Sequence, residues 1–105
     1  MGFTFEWNDR KARINQHKHG VTFTEACTVF GDLLALTIGD PDHSPDEERS
    51  VTLGHSARGR LLAVVHTERG AGIRIITARI ATLRERAVHE EDNCQAKGGG
   101  DATRV

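Results

Sequence analysis

The chain has 105 residues, of which 37% are hydrophobic and 28% charged, and its formal net charge is −1 at pH 7. A chain of this length forms one small domain with a single modest core, and its composition excludes a disordered or collagen-like protein. No apolar run approaches the ~18 residues of a membrane span, and the N-terminus shows no export signal, so we expect a cytoplasmic protein with no membrane partner.

The small net charge conceals an uneven distribution of charge along the chain. Between Arg49 and Arg86 the only acidic residues are Glu68 and Glu85. The arginines of the same segment are Arg49, Arg58, Arg60, Arg69, Arg74, Arg79, Arg84 and Arg86. A surface this basic attracts polyanions, so an RNA partner is compatible with a chain that is nearly neutral on average.

Hydrophobic periodicity predicts a strand and two helices in the first third of the chain. Residues 3–7 alternate apolar and polar side chains, as a strand with one buried face does. Asn8 or Asp9 can cap a surface helix that runs through Lys18 or His19, and Gly20 is suited to end it in a left-handed conformation. The segment Thr22 to Glu25 has the capping-box pattern that begins a second helix, and Gly31 lies past the end of its apolar stripe.

The remainder of the chain reads as four strands followed by a helix. The predicted strands are Leu33 to Ile38, Arg49 to His55, Leu61 to Glu68 and Ile73 to Ala78, and the predicted helix is Ala81 to Glu91. This order predicts an α+β domain, in which an antiparallel meander carries helices on one face and leaves the other free. We assign residues 1–92 to the domain and residues 93–105 to a flexible polar tail.

The alternation of side chains along the last two strands limits which charged groups can meet. Along the last strand, Arg74 and Arg79 fall on opposite faces unless a bulge intervenes. Along the preceding strand, His66 and Glu68 share one face, and Arg69 takes the other. Arg79 lies where strand gives way to helix, so we predict Arg79 rather than Arg74 for the direct catalytic contact.

Two patterns resemble metal-binding motifs, and we expect neither to bind a metal. The acidic run from Asp40 to Asp46 has oxygen donors at alternate positions, but the glycine that a calcium loop needs at its sixth position is Pro45. His17 and His19 lie two residues apart in a predicted helix, where their side chains diverge. We therefore expect no metal and no cofactor.

Three segments carry a recognisable family pattern: FEWNDRKARINQHKHGVTF, GDPDHSPDEERSVTLGHSARGRLLAVVHTER and IRIITARIATLRER. Together they closely resemble the BrnT family of type II toxin–antitoxin modules, whose members look like RelE-type ribonucleases. The resemblance covers Phe3 to Glu91. It implies a RelE-like fold and a metal-independent endoribonuclease that inhibits translation by cutting RNA. It also implies a BrnA-like antitoxin as partner, and contact with operator DNA only through that antitoxin.

RNA cleavage without a metal requires attack of a 2′-hydroxyl on the adjacent phosphorus, with a base, an acid and cations to stabilise the phosphorane. Arginine suits the last task because its planar, permanently charged fork matches phosphate oxygens. Histidine and glutamate suit the proton transfers. The catalytic candidates are Arg79, Arg69, Glu68, His66 and His89. The candidates for binding RNA phosphates are Arg74, Arg49, Arg84, Arg86, Lys18 and His19.

Two other functions would use the same residues. A non-catalytic module that binds RNA or the ribosome needs the same arginines. An inactive toxin remnant would keep only its role as an antitoxin-bound co-repressor. Relatives often carry a tyrosine near Val88 and His89, and this chain has no tyrosine, so His89 would have to replace it. His66 also fits a hydrogen-bonded core residue, and Arg84 and Arg86 also fit side chains that contact water or antitoxin.

Overall fold

A computed structural model describes residues 4–39 and 48–101, without the side chains of Arg69 and residues 95–101. The strands are β1 (Thr4–Glu6), β2 (Leu36–Gly39), β3 (Arg49–His55), β4 (Leu61–Arg69) and β5 (Gly72–Ile80). The helices are α1 (Asp9–His19), α2 (Phe23–Thr28) with a 3₁₀ turn over Val29–Gly31, and α3 (Leu83–Asp101). The acidic run that we considered as a calcium loop lies outside the described residues.

The five strands form one sheet in the order β1-β5-β4-β3-β2. Strands β2 to β5 are an antiparallel meander, and β1 pairs in parallel with the outer edge of β5. The predicted α+β class, with an N-terminal strand, two helices, a meander and a C-terminal helix, is therefore confirmed. The sequence did not predict the strand with which β1 pairs.

The main core lies between the first two helices and one face of the sheet, because the apolar side chains of β4 and β5 that point to that face meet those of α2 and its flanks. Its buried members are Val21, Phe23, Ala26, Val29, Leu62, Val64, Ile73, Ile75 and Ala78. The opposite face carries a smaller apolar cluster of Val51, Leu53 and Ala63, against which Val65 packs. We call this second side the open face. Helices α1 and α2 thus cover one face of the sheet, and α3 lies against part of the open face, so the expectation that the helices leave one face free is wrong.

Asn15 attaches α1 to the edge of β5. The pairing of β1 with β5 ends at Arg74, so the backbone of Ala78 lies beyond it. The Asn15 side chain takes the place of a strand there: Nδ2 donates to Ala78 O at 2.8 Å, and Oδ1 accepts from Ala78 N at 3.1 Å. Nδ2 also donates to Val21 O at 2.9 Å. Because Asn15 is buried, these bonds satisfy backbone groups that water does not reach.

The ends of the first two helices follow the predicted capping residues with one correction. Asn8 caps α1, and Gly20 ends it with a φ of 70°. The Thr22 hydroxyl accepts from Glu25 N at 3.0 Å, which is half of the predicted capping box. The prediction that the Glu25 carboxylate also accepts a hydrogen bond from Thr22 N is wrong, because the carboxylate accepts one from Arg60 instead.

The Glu25 carboxylate is the centre of a buried polar cluster that joins α2 to the turn between β3 and β4. Its Oε2 accepts from Arg60 Nε at 2.9 Å and from Ser56 Oγ at 2.7 Å. Arg60 Nη2 also donates to Gly20 O at 3.1 Å. The hydrogen bond from Arg60 lowers the pKa of Glu25 and outweighs burial, which by itself would raise it.

We expect this cluster to make folding stability depend on pH. A carboxyl whose pKa is lower in the folded chain than in the unfolded chain contributes stability above the unfolded pKa and loses it as pH falls through the folded pKa. The difference in Tm between the native protein and Glu25→Gln should therefore be largest near pH 7 and shrink between about pH 5 and 3. Thermal denaturation across that range measures it, with the exposed Glu90→Gln as matched control. A difference that stays constant with pH would contradict the assignment.

A bulge in β5 determines which face of the sheet each of its arginines occupies. The register between β4 and β5 shifts between Val65 and His66, which leaves Ile76 as an extra residue on β5. Arg74 and Arg79 then pair with β4 residues four positions apart, which share one face. Both arginines lie on the open face. The bulge is the exception that the sequence analysis allowed, and the opposite faces expected of an unbroken strand are not observed. An inserted residue changes the parity of every position beyond it.

The last helix is longer than predicted. It runs over Leu83–Asp101, beyond the predicted end at Glu91 and into the residues assigned to the tail. Extending a helix that has already begun costs little compared with starting one, and no proline interrupts this segment. The division of the chain between residues 92 and 93 stays a prediction. No helix of the described part is long and apolar enough to cross a membrane.

Candidate active site

The open face forms a cleft of about 600 Å³ that is bordered at one end by the first turns of α3. Its floor is apolar, and its polar lining consists of three arginines, a glutamate and a threonine. The lining residues are Ile38, Arg49, Val51, Leu53, Val65, Ile76, Thr77, Arg79, Arg84, Glu85 and Val88. A cleft with an apolar floor and cationic walls suits a ligand that combines flat apolar groups with negative charge.

Arg79 and Glu85 form a bidentate ion pair in this cleft. Arg79 Nη1 lies 2.6 Å from Glu85 Oε1, and Nη2 lies 2.9 Å from Oε2. Glu85 is itself fixed by a capping box at the start of α3, in which Thr82 N donates to Oε1 at 2.9 Å and Thr82 Oγ1 accepts from Glu85 N at 3.1 Å. The bond from Arg79 lowers the pKa of Glu85 despite burial, which opposes it, so the carboxylate is ionised near neutral pH.

This geometry orients a permanent positive charge. Both oxygens of Glu85 accept hydrogen bonds, so the carboxylate holds the guanidinium in one plane rather than taking up a proton. The Arg79 side chain remains 34% exposed. A fixed cation in a partly desolvated cleft interacts more strongly with a developing negative charge than the same cation in water does.

The basic surface continues over the edge of β5. Ile76 and Thr77 border both the cleft and a second depression of about 190 Å³. The walls of that depression come from α1 and include Lys18 and His19, together with Lys11. Two of the predicted RNA-binding residues therefore adjoin the cleft, although more than fifty residues separate them from Arg79 in the sequence.

The other predicted arginines divide between the cleft and its surroundings. Arg49 and Arg84 line the cleft. Arg74 shares the open face, but its Nη1 lies 3.7 Å from Glu6 Oε2, and it is outside the cleft lining. Arg86 lines a different depression, beside α3. The backbone of Arg69 pairs with Gly72 at the end of β4, and its predicted phosphate contact stays a prediction.

The sheet separates His66 and Glu68 from the cleft. His66 is 3% exposed on the core face, its Nε2 lies 2.8 Å from Thr52 Oγ1, and its ring meets that of Phe30 edge-on at 4.9 Å. Burial lowers the pKa of His66, although the charge of Glu68 opposes that effect. The placement favours a structural role for His66. Glu68 is exposed, and its backbone pairs with that of Ile73. Its side chain points to the same face of the sheet as that of His66.

His89 also lies apart from Arg79. It is 3% exposed, and it lines a depression of about 380 Å³ that shares no lining residue with the cleft. Its ring meets that of His55 edge-on, at 5.5 Å between ring centroids. Of the catalytic candidates with described side chains, Arg79 alone lines the cleft.

Comparison with known proteins assigns the family. A family model described as the ribonuclease toxin BrnT of type II toxin–antitoxin systems matches residues 7–85. The chain belongs to the BrnT family. The crystal structure of the Brucella abortus ribonuclease toxin BrnT is similar over 76% of this chain and 97% of that one, with a TM-score of 0.60 and 23% identity. That likeness shows the fold alone. No curated protein matches the chain.

Membership of the BrnT family places the chain among ribonuclease toxins, which are paired with an antitoxin. The matched range contains every residue that lines the cleft except Val88. It ends before His89, whose predicted substitution for the tyrosine of relatives stays a prediction. Our site prediction omitted Glu85, although the Thr82-x-x-Glu85 spacing is a capping-box pattern that could have marked it.

Proposed function

We propose that this BrnT-family chain is a metal-independent endoribonuclease that cleaves RNA by attack of a 2′-hydroxyl on the adjacent phosphorus and thereby inhibits translation. The observation that carries the proposal is the bidentate Arg79–Glu85 pair facing a cleft that also contains Arg49 and Arg84. The family assignment supports the ribonuclease class. The geometry supports recognition of a phosphodiester.

The substrate backbone would run along the open face. Arg49 lies at one end of the cleft, and Arg79 and Arg84 lie at the other, beside α3. Phosphates placed at both ends put the intervening ribose and base over the apolar floor. Lys18 and His19 then contact flanking phosphates beyond the edge of β5. RNA contacts of this kind depend on charge and therefore weaken as salt rises.

The chemical step makes one P–O bond and breaks another. The 2′-oxygen attacks phosphorus as it loses its proton, and the 5′-oxygen leaves and gains one, so the products are a 2′,3′-cyclic phosphate and a 5′-hydroxyl. Arg79 stabilises the added charge on the phosphorane oxygens, and Glu85 keeps its fork in position. The predicted proton-transfer residues lie outside this cleft, so the cleft is assigned orientation and charge stabilisation.

Incubation with RNA in excess EDTA tests the proposal. We expect cleavage to persist and the new ends to be 2′,3′-cyclic or 3′-phosphates with 5′-hydroxyls on the downstream fragments. Loss of cleavage in EDTA while circular dichroism shows the chain still folded, or 5′-phosphate ends, would contradict the mechanism. Intact RNA that nevertheless binds the protein would favour the non-catalytic RNA-binding module.

We further propose that a BrnA-like antitoxin neutralises the chain in the cytoplasm and brings it to operator DNA. The type II family supports a protein antitoxin. The arginine-rich cleft offers such an antitoxin a surface to cover, and acidic side chains on the partner would complement it.

A further inference from the structure

A second group of side chains with potential metal-ligand atoms lies beside the face of α3 that points away from the cleft. It consists of Asp32, which follows the 3₁₀ turn, His55 at the end of β3, and His89 on α3. One ligand atom from each of the three lies within 4.8 Å of the others. Asp32 Oδ2 lies 3.8 Å from His55 Nδ1.

The position of Asp32 is built into the fold. Its Oδ2 accepts from His55 N at 2.8 Å, and its Oδ1 accepts from Leu34 N at 3.0 Å. The loop can lie this close to β3 because residue 54 is glycine: a Cβ there would come within 2.9 Å of Val29 and 3.0 Å of Ala35. Two backbone donors therefore hold the carboxylate beside the histidine rings.

His89 is the least expected member of the group. The residue is 3% exposed, and its ring lies edge-on against that of His55 at the end of β3. Within the described residues, the other polar side chain at its ring nitrogens is Asn93, whose Nδ2 lies 3.3 Å away. A buried imidazole with one long polar contact retains capacity to bind a further group.

We propose that Asp32, His55 and His89 bind one divalent transition-metal ion, with Zn²⁺ the best fit. Two imidazoles and a carboxylate are a ligand set that proteins use for Zn²⁺ and neighbouring first-row metals, at metal–ligand distances of about 2.0–2.2 Å. The ligand atoms must move closer together to reach these distances. The His55 ring already lies beside the other two groups, and because its side chain is 48% exposed, there is solvent space into which it can adjust.

A fourth ligand position faces the depression of about 380 Å³ beside α3. His55 and His89 both line that depression, and Glu90 and Cys94 lie on its wall. Water, the carboxylate or the thiolate can complete a tetrahedral site there. The set of protein ligands also distinguishes the metal: Mg²⁺ prefers an oxygen-only shell and is not expected to bind.

The site joins three segments that are distant in the sequence, and it lies outside the cleft. An ion bound to it would connect α3 to the end of β3 and to the turn before β2, and would stabilise the folded chain by binding it and not the unfolded one. Metal-independent cleavage in the cleft is therefore compatible with a metal here. Binding is measured directly, so the result holds whether or not the chain cleaves RNA.

Calorimetric titration of metal-stripped protein with Zn²⁺, together with thermal denaturation, tests the site. We expect one Zn²⁺ per chain, a higher Tm with Zn²⁺ present, and neither effect with Mg²⁺. His55→Ala removes a direct ligand, so it should weaken Zn²⁺ binding by more than the roughly 10- to 100-fold that loss of an outer-shell partner costs. It should leave the Tm of the metal-free protein nearly unchanged because the ring is half exposed. His17→Ala and His19→Ala are matched controls from α1 that should retain binding.

Asp32→Asn provides an independent variant, since the amide oxygen can still accept one backbone hydrogen bond but is a much weaker metal ligand. We expect loss of Zn²⁺ binding with a folded chain, as monitored by circular dichroism. Failure of the native protein to bind Zn²⁺ would overturn the proposal. So would binding that survives both His55→Ala and Asp32→Asn, or binding that His17→Ala and His19→Ala remove equally.

Discussion

Arg79→Ala is expected to lower the rate of RNA cleavage by about 10²- to 10³-fold without unfolding the protein, the magnitude found when one oriented charge-stabilising donor is removed from an enzyme. The substitution deletes the guanidinium that Glu85 holds in the cleft. Glu85 keeps its bond from Thr82 N, so the start of α3 remains capped. Single-turnover cleavage of a defined RNA, with circular dichroism on the same sample, measures both parts of the expectation.

Three further variants separate charge from geometry. Arg79→Lys keeps the charge but loses the planar fork, so we expect it to restore little of the rate. Glu85→Gln keeps a side chain that can cap α3 but loosens Arg79, so a smaller loss of rate is expected. Arg86→Ala is the matched control, because Arg86 lies on the same helix but lines the other depression. Equal losses for Arg79→Ala and Arg86→Ala would argue against the cleft as the active site.

Asn15→Ala is expected to destabilise the fold by about 3 kcal/mol, since each buried polar group left without a partner costs roughly 1–3 kcal/mol. The side chain makes three hydrogen bonds, two to the backbone of Ala78 and one to that of Val21. Its loss would leave the β5 edge unpaired beneath α1. Urea denaturation followed by circular dichroism gives the free energy of unfolding.

Two companion variants make the result specific. Asn15→Asp keeps an acceptor for Ala78 N but loses both donated bonds, so we expect it to be destabilised as well, and more so because a charge is buried. Gln16→Ala changes the adjacent, exposed residue of α1 and should change stability by less than about 0.5 kcal/mol. A loss of under 1 kcal/mol for Asn15→Ala would show that water or backbone movement replaces the lost bonds.

Periodicity and turn residues predicted the strands and helices well, but they did not predict the irregularity within β5. The alternation in residues 49–55 and the apolar run from Leu61 lie in the observed β3 and β4, because strand formation there follows from which side chains can be buried. Gly20 ended α1 as predicted, since a φ of 70° favours glycine. The bulge at Ile76 has no such local signature, and it puts Arg74 and Arg79 on one face, where an unbroken strand would put them on opposite faces.

The candidate site was predictable in part. The choice of Arg79 rested on its place at the end of a strand, and it is the described catalytic candidate that lines the cleft. His66 and Glu68 were close in sequence to the arginines but face the core side. Side chains that are close together along a strand alternate between the two faces of the sheet. Closeness in the sequence therefore does not show which of them reach the open face.

The sequence by itself determined the α+β class, the order of the elements, the basic second half and the BrnT resemblance, because these depend on periodicity, composition and short motifs. The tertiary structure decided which residues meet. It placed Lys18 and His19 beside Ile76 and paired Glu85 with Arg79. It also placed His66 on the core face of the sheet and brought Asp32, His55 and His89 together. Such contacts depend on strand register, one inserted residue and helix packing, which are fixed by the balance of the whole fold.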